Sequence, residues 1–241
     1  MHLNYLPFKR LAVFLFSLVG LCVLGACKPG QSRSPVAEAQ ELERSVARHY
    51  ADLVHANYQD ALEAAREMRR QIVAFLDTPD ATRLEAARQA WLAARPAYLQ
   101  TEVFRFYGGP IDEVEPFLNA WPMDEAYLDY VKGDAAAGII QNPDKFPDLN
   151  RHVLMALNEK DGEENISTGY HTIEFLLWGQ DLDLNQPGQR PFTDYVPSTE
   201  GPGRFAVRRA TYLREVTDLL VAHLEELTRA WEPGSEQNYR A

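Results

Sequence analysis

The sequence predicts an all-α fold, a helical bundle. Three observations carry that reading. Apolar residues recur at steps of three and four through two long segments, one at each end of the chain. No segment shows the period-two alternation of a half-buried strand. Proline and glycine clusters punctuate the chain between the periodic segments.

The first periodic segment runs from Ala37 to Leu76, with the stripe Leu42, Val46, Tyr50, Leu53, Asn57, Ala61, Ala64, Met68, Ile72 and Phe75. A stripe sustained this far predicts a long helix with one face on a core. Thr78-Pro79-Asp80 ends it. A second helix is expected from Thr82 to about Tyr107, kinked or interrupted at Pro96 and stopped by Gly108-Gly109-Pro110. Residues 108–147 carry mixed signals, with short helices expected over Asp124–Lys132 and around Asp148–Asn158. Ser167 or Thr168 is placed to cap a further helix that Gly179 closes. Pro187, Gly188, Pro191, Pro197 and Pro202 make 180–203 a long loop. The stripe Phe205, Tyr212, Val216, Leu219, Leu220, Leu224, Leu227 and Trp231 predicts a final long helix.

The first 26 residues read as a targeting segment. Lys9 and Arg10 precede an apolar run from Leu11 to Val23, too short to span a bilayer. Leu24-Gly25-Ala26-Cys27 follows, and resembles a bacterial lipobox. Cleavage before Cys27 and lipidation of its sulfur are expected, with attachment to a membrane through that anchor. Lys28 in place of an aspartate resembles the pattern of outer-membrane lipoproteins in Gram-negative bacteria. The expected location is therefore the bacterial cell envelope, on the outer membrane facing the periplasm. Residues 27–36 read as a flexible tether, and 37–241 as the helical domain.

The chain has two cysteines, Cys22 and Cys27. One leaves with the leader and the other carries lipid, so neither a disulfide framework nor thiolate metal chemistry is expected in the domain. The formal charge is −11, and loss of Lys9 and Arg10 makes it more negative still. That argues against nucleic acid as a partner.

The segment richest in chemistry is Ser167-Thr-Gly-Tyr-His-Thr-Ile-Glu-Phe-Leu-Leu-Trp-Gly179. On a helix, His171 and Glu174 share a face. An imidazole and a carboxylate projecting together make half of a transition-metal site. Apolar residues surround them in sequence, which predicts a buried helix and a costly polar pair. Two readings follow from spacing alone: a core pair that satisfies itself, or a metal site. Tyr170 lies about 100° around the helix from His171 and is expected to support the ligands at most.

Gly-x-His-x-x-Glu in this setting resembles the signature of the imelysin-like family. That resemblance implies an imelysin-like helical bundle and a bacterial envelope protein. The family is classed among metallopeptidases and linked to iron uptake. A second segment, from Trp91 to Asp112, resembles the family's other marked stretch. It sets Trp91, Arg95, Tyr98, Glu102 and Arg105 on one expected helix face. Charges there would need partners, and an Arg-Glu-Arg bridge between helices is one reading. With the resemblance, Glu102 becomes the candidate third ligand beside His171 and Glu174, or a partner that supports His171. Arg95 or Arg105 would hold an anion or orient a carboxylate. Full-length members continue into a second helical half. This sequence is expected to be either a short member or a truncated frame.

The expected cofactor is a divalent or trivalent transition metal, iron favoured over zinc. The expected role is metal binding for iron uptake or homeostasis, with iron-transport proteins as partners. A metallopeptidase and a non-catalytic helical adaptor are the alternatives. No His-Glu-x-x-His is present, and a peptidase would also need a separate base. His49, His55, His152 and His223 are weaker candidates. So are Asp112, Glu113 and Glu115, which follow a turn. The run Asp181-Leu-Asp183 begins like a calcium loop but lacks its glycine and closing glutamate.

Overall fold

A computed structural model describes residues 34–183 and 185–241. The expected leader, the lipobox, Cys27 and most of the tether lie outside the described residues. The chain divides into two units, Met1–Leu42 and Glu43–Ala241. Helix α1 runs Pro35–Asp77 and so begins within the stretch expected to be tether.

Seven further helices follow: α2 (Ala81–Leu99), α3 (Ile111–Leu118), α4 (Glu125–Leu128), α5 (Gly138–Gln141), α6 (Arg151–Leu157), α7 (Gly169–Trp178) and α8 (Ala206–Ala230). Among the described residues the extended pairing amounts to two isolated bridges, Val131 with Asp134 and Asp183 with Gln186. The fold is all-α.

Sequence dictates several of the boundaries directly. Asp80 caps α2, its Oδ1 accepting from the Arg83 amide at 2.7 Å. Asn150 caps α6 in the same way through the Val153 amide. Pro96 does not interrupt α2, which passes through it to Leu99. The expected helix to Tyr107 instead tightens into a 3₁₀ segment over Gln100–Phe104.

The long helices pair antiparallel. Arg66 on α1 meets Glu225 on α8, Arg69 meets Asp218, and Asp77 meets Arg214, so one helix ascends as the other descends. On α2 and α7, Arg88 donates to the Leu177 carbonyl and the Trp91 indole to the Tyr170 carbonyl. Helix α7 is central, packing against α2, α3 and α8. The core runs through Met68, Ile72 and Phe75 of α1, Ile173, Leu176 and Leu177 of α7, and Val216, Leu220 and Leu224 of α8.

The expected stripe on α1 holds from Ala61 onward. Before that point the buried face is shifted by one residue, to Ala51, Val54 and Tyr58. Val46 and Leu53, expected inside, are 61% and 47% exposed. Both neighbouring stripes are apolar there, so periodicity alone did not separate them. Helix α3 and the 3₁₀ turns Phe192–Tyr195 and Gly201–Phe205 were not anticipated. Each is a turn or two long, below the length at which a repeat becomes visible.

A candidate ligand site at the His171–Glu174 face

Helix α7 begins where glycine is required. Gly169 has φ +86°, and a Cβ built there would lie 2.6 Å from the Leu118 carbonyl oxygen. Glycine alone meets both demands, the left-handed backbone and the close approach of α3. Thr168 takes the N-cap position, but its hydroxyl does not cap. It bonds Asn158 Oδ1 at 3.1 Å, while Ser167 donates to the Leu154 carbonyl. Gly179, at φ +71°, ends the helix as expected.

Most of α7 is buried, including Tyr170, Thr172, Ile173, Phe175, Leu176 and Leu177. The remaining face, His171, Glu174 and Trp178, is partly open. The expectation of a buried polar pair is corrected here. The His171 side chain is 17% exposed and that of Glu174 is 44% exposed. Glu174 therefore keeps much of its hydration and escapes the cost of burial. The two do contact, with His171 Nδ1 3.3 Å from Glu174 Oε2. That contact engages one ring nitrogen, Nδ1.

The pair sits on the wall of a cleft of about 630 Å³. Trp91, Trp121, Phe175 and Trp178 give it aromatic walls. Asp124, Glu125 and Asp181 join Glu174 among its lining residues. The Trp121 ring lies against His171, with centroids 4.8 Å apart. Burial pushes the Glu125 carboxyl above its ordinary value, against hydrogen bonds from Gln180 and the Asp181 backbone.

The second constellation does not join this cleft. Glu102 stands exposed on the 3₁₀ segment after α2, with its carboxylate 3.3 Å from the Asn119 amide nitrogen. Glu102, expected as third ligand, is not among the lining residues of the cleft. Arg95 bonds the other side of Asn119, at 2.7 Å, and lies over the Tyr170 ring at 5.0 Å. Arg105 pairs with Glu115 at 3.0 Å. Burial raises the Glu115 carboxyl, and the Arg105 charge opposes that rise. Arg95 is thus held by Asn119 and Arg105 by Glu115, and neither is among the lining residues of the cleft. Tyr170 is fully buried between Arg95, Trp91 and Tyr98, with its hydroxyl unpartnered and its pKa raised by burial.

The donor set bears on metal binding. Among the described residues, no three His, Cys, Asp or Glu side chains converge as a cage. His171 and Glu174 thus offer two protein donors. A transition ion held by them would take its remaining ligands from water or from a molecule in the cleft.

A buried network escaped sequence reasoning. Asp129 accepts from Arg209 at 2.6 and 3.0 Å, from Arg190 at 2.8 Å and from Gln141 at 2.6 Å. Arg190 also bonds Asp194, which accepts from the Tyr130 hydroxyl. Burial opposes ionisation of Asp129, but the two guanidinium groups and these hydrogen bonds hold its carboxyl below the ordinary value. The members lie up to 80 residues apart, so no local motif announced them.

The comparisons with known proteins agree with this architecture. The family model described as Imelysin (peptidase M75) matches residues 54–241. Iron-regulated protein A of Synechococcus elongatus is 29% identical over 199 residues, covering 82% of this chain and 51% of the relative. A crystal structure assigned as an iron-regulated protein A precursor from Parabacteroides distasonis superposes with a TM-score of 0.54 at 20% identity. It covers 81% of this chain and 48% of that one. The chain thus spans about half the length of the relatives it matches. With the family model covering α2 to α8 and most of α1, and the Gly169-x-His171-x-x-Glu174 segment inside the match, the chain belongs to the imelysin family.

Proposed function

We propose that this protein is a metal-binding lipoprotein of the bacterial cell envelope that serves iron uptake or homeostasis. The carrying observation is the His171–Glu174 pair, held on a rigid central helix at the wall of an open cleft. The names of the two relatives, both iron-regulated proteins, favour iron over zinc. Binding is favoured over peptide hydrolysis by the donor set. A zinc peptidase needs three protein ligands, an open position and a base. The pair supplies two ligands, whereas a binding protein can leave part of the coordination shell to its cargo.

Anchoring at Cys27, on the outer membrane facing the periplasm, is part of the same proposal. It rests on the lipobox-like Leu24-Gly25-Ala26-Cys27. The partners would be the membrane and iron-transport proteins of the envelope.

The test is elemental analysis of the purified protein followed by iron and zinc titration of wild type, His171→Ala and Glu174→Ala. Iron bound by wild type and lost in both variants supports the proposal. Zinc with peptide turnover would support the peptidase, and indifference of both variants to either metal would remove the pair from the site.

A further inference from the structure

The cleft beside the pair has a character of its own, apart from any metal. Its volume, about 630 Å³, is that of a small-molecule site. Its walls are aromatic, and its polar lining is one-signed. Asp124, Glu125, Glu174 and Asp181 contribute carboxylates, and no lysine or arginine is among the described lining residues. A concave surface lined by one sign of charge, with low-dielectric walls, focuses its field on whatever enters.

The arginines nearby are already engaged. Arg88 lies over the Trp178 ring at 5.6 Å while bonding the Leu177 and Arg190 carbonyls. Arg95 lies over Trp91 at 5.7 Å and is held by Asn119. Two of the three tryptophans thus already carry a cation supplied by the protein. Trp121, 67% exposed, has none among the described residues. Its ring lies against the His171 imidazole, 4.8 Å between centroids, and lines the same cleft as the four carboxylates, without the guanidinium that its two counterparts carry.

We propose that this cleft binds an organic cation: an ammonium or guanidinium group carried on an apolar body, stacked on Trp121 and paired with Glu125 and Glu174. Glu125 is the carboxylate with most to gain. It is partly buried, and burial raises its carboxyl above the ordinary value against the hydrogen bonds of Gln180 and the Asp181 backbone and the charge of Arg190. The same field disfavours anionic ligands, including carboxylate-rich metal chelates. This inference concerns the same cleft as the proposed metal pair but does not depend on a metal being bound.

The test uses the full chain stripped of metal, with three probes of similar size: phenethylammonium, uncharged 2-phenylethanol and anionic phenylacetate. Binding is followed by tryptophan emission and calorimetry. The expected order is cation first, alcohol second, anion last. Glu125→Gln and Glu174→Gln should each weaken the cation about fivefold, in line with a partly exposed ion pair, and leave the alcohol unchanged. Trp121→Ala should weaken both cation and alcohol, and its exposure makes misfolding a poor explanation of that loss. An acetylated, amidated Ala-Lys-Ala peptide distinguishes the source of the cation. Tighter binding than phenethylammonium indicates a basic peptide, and weaker binding a free amine. Equal affinity for cation and alcohol, preference for the anion, or indifference to Trp121→Ala would overturn the inference. Iron titration of His171→Ala is scored separately. A protein that binds iron through His171 but fails to discriminate these probes would sink this inference and leave the metal reading standing.

Discussion

At the scale of single residues, position on α7 separates three roles within six residues. Gly169 is a backbone requirement, Tyr170 a core filler, and His171 with Glu174 the open pair. Gly169→Ala places a methyl group against the Leu118 carbonyl and forces a disfavoured φ. A loss of about 2–4 kcal/mol is expected, read as a lower urea midpoint at unchanged m. His171→Ala and Glu174→Ala touch partly exposed side chains. Each should alter stability by no more than about 0.5–1 kcal/mol while abolishing the proposed metal binding, so melting and titration report separately. Glu102→Ala should leave metal affinity at the wild-type level, because Glu102 meets Asn119 outside the cleft. A strong loss of affinity in that variant would restore it as a ligand.

At the scale of elements, the long segment between α7 and α8 is held by charge. Arg190 and Asp194 come from that segment, Arg209 from α8, and Asp129 from the end of α4. Asp129→Asn leaves the buried Arg209 without its carboxylate and Arg190 with Asp194 alone, and a loss of about 3–5 kcal/mol is expected. The pH dependence has a definite sign. The folded carboxyl of Asp129 lies below its ordinary value of 3.8. Its contribution is complete above that value and disappears as pH falls below it, through the folded one. Acid unfolding curves of wild type should therefore steepen below about pH 4, and those of Asp129→Asn should be flatter there. Parallel curves would show that the network carries no such linkage. Hydrogen exchange over residues 180–205 should quicken in the same variant.

At the scale of the whole molecule, apolar surface remains outside the core. Val46 and Leu53 on α1, and Val103, Phe106 and Tyr107 after α2, are all 47% exposed or more. Surface of this kind should bind a hydrophobic dye in the native state, and Val103→Ser with Phe106→Ser should reduce that signal without lowering helical content. A dye signal that the double variant leaves intact would place the accessible apolar surface elsewhere. Circular dichroism should show mostly helix. Cys27→Ser should move the protein from the membrane fraction to the soluble periplasm, since lasting attachment depends on acyl chains. Retention in the membrane would remove the lipid anchor from the proposal.

The sequence by itself determined the helical class, the two long terminal helices and the pairing of His171 with Glu174 on one face. Each of these is a local periodicity, fixed by the geometry of a helix and the choice of residue every three or four positions. It also marked Gly179 as the end of α7. Tertiary structure alone decided which of two adjacent stripes on α1 faces inward, because burial depends on what lies opposite. It took Glu102 out of the cleft, since the 3₁₀ segment after Leu99 breaks the register on which one helix face depended. It left Glu174 in contact with water, and it assembled Asp129, Arg190, Asp194 and Arg209 from three separate stretches of chain. Charges that far apart in sequence carry no shared pattern, and it is folding that gives them one another as partners.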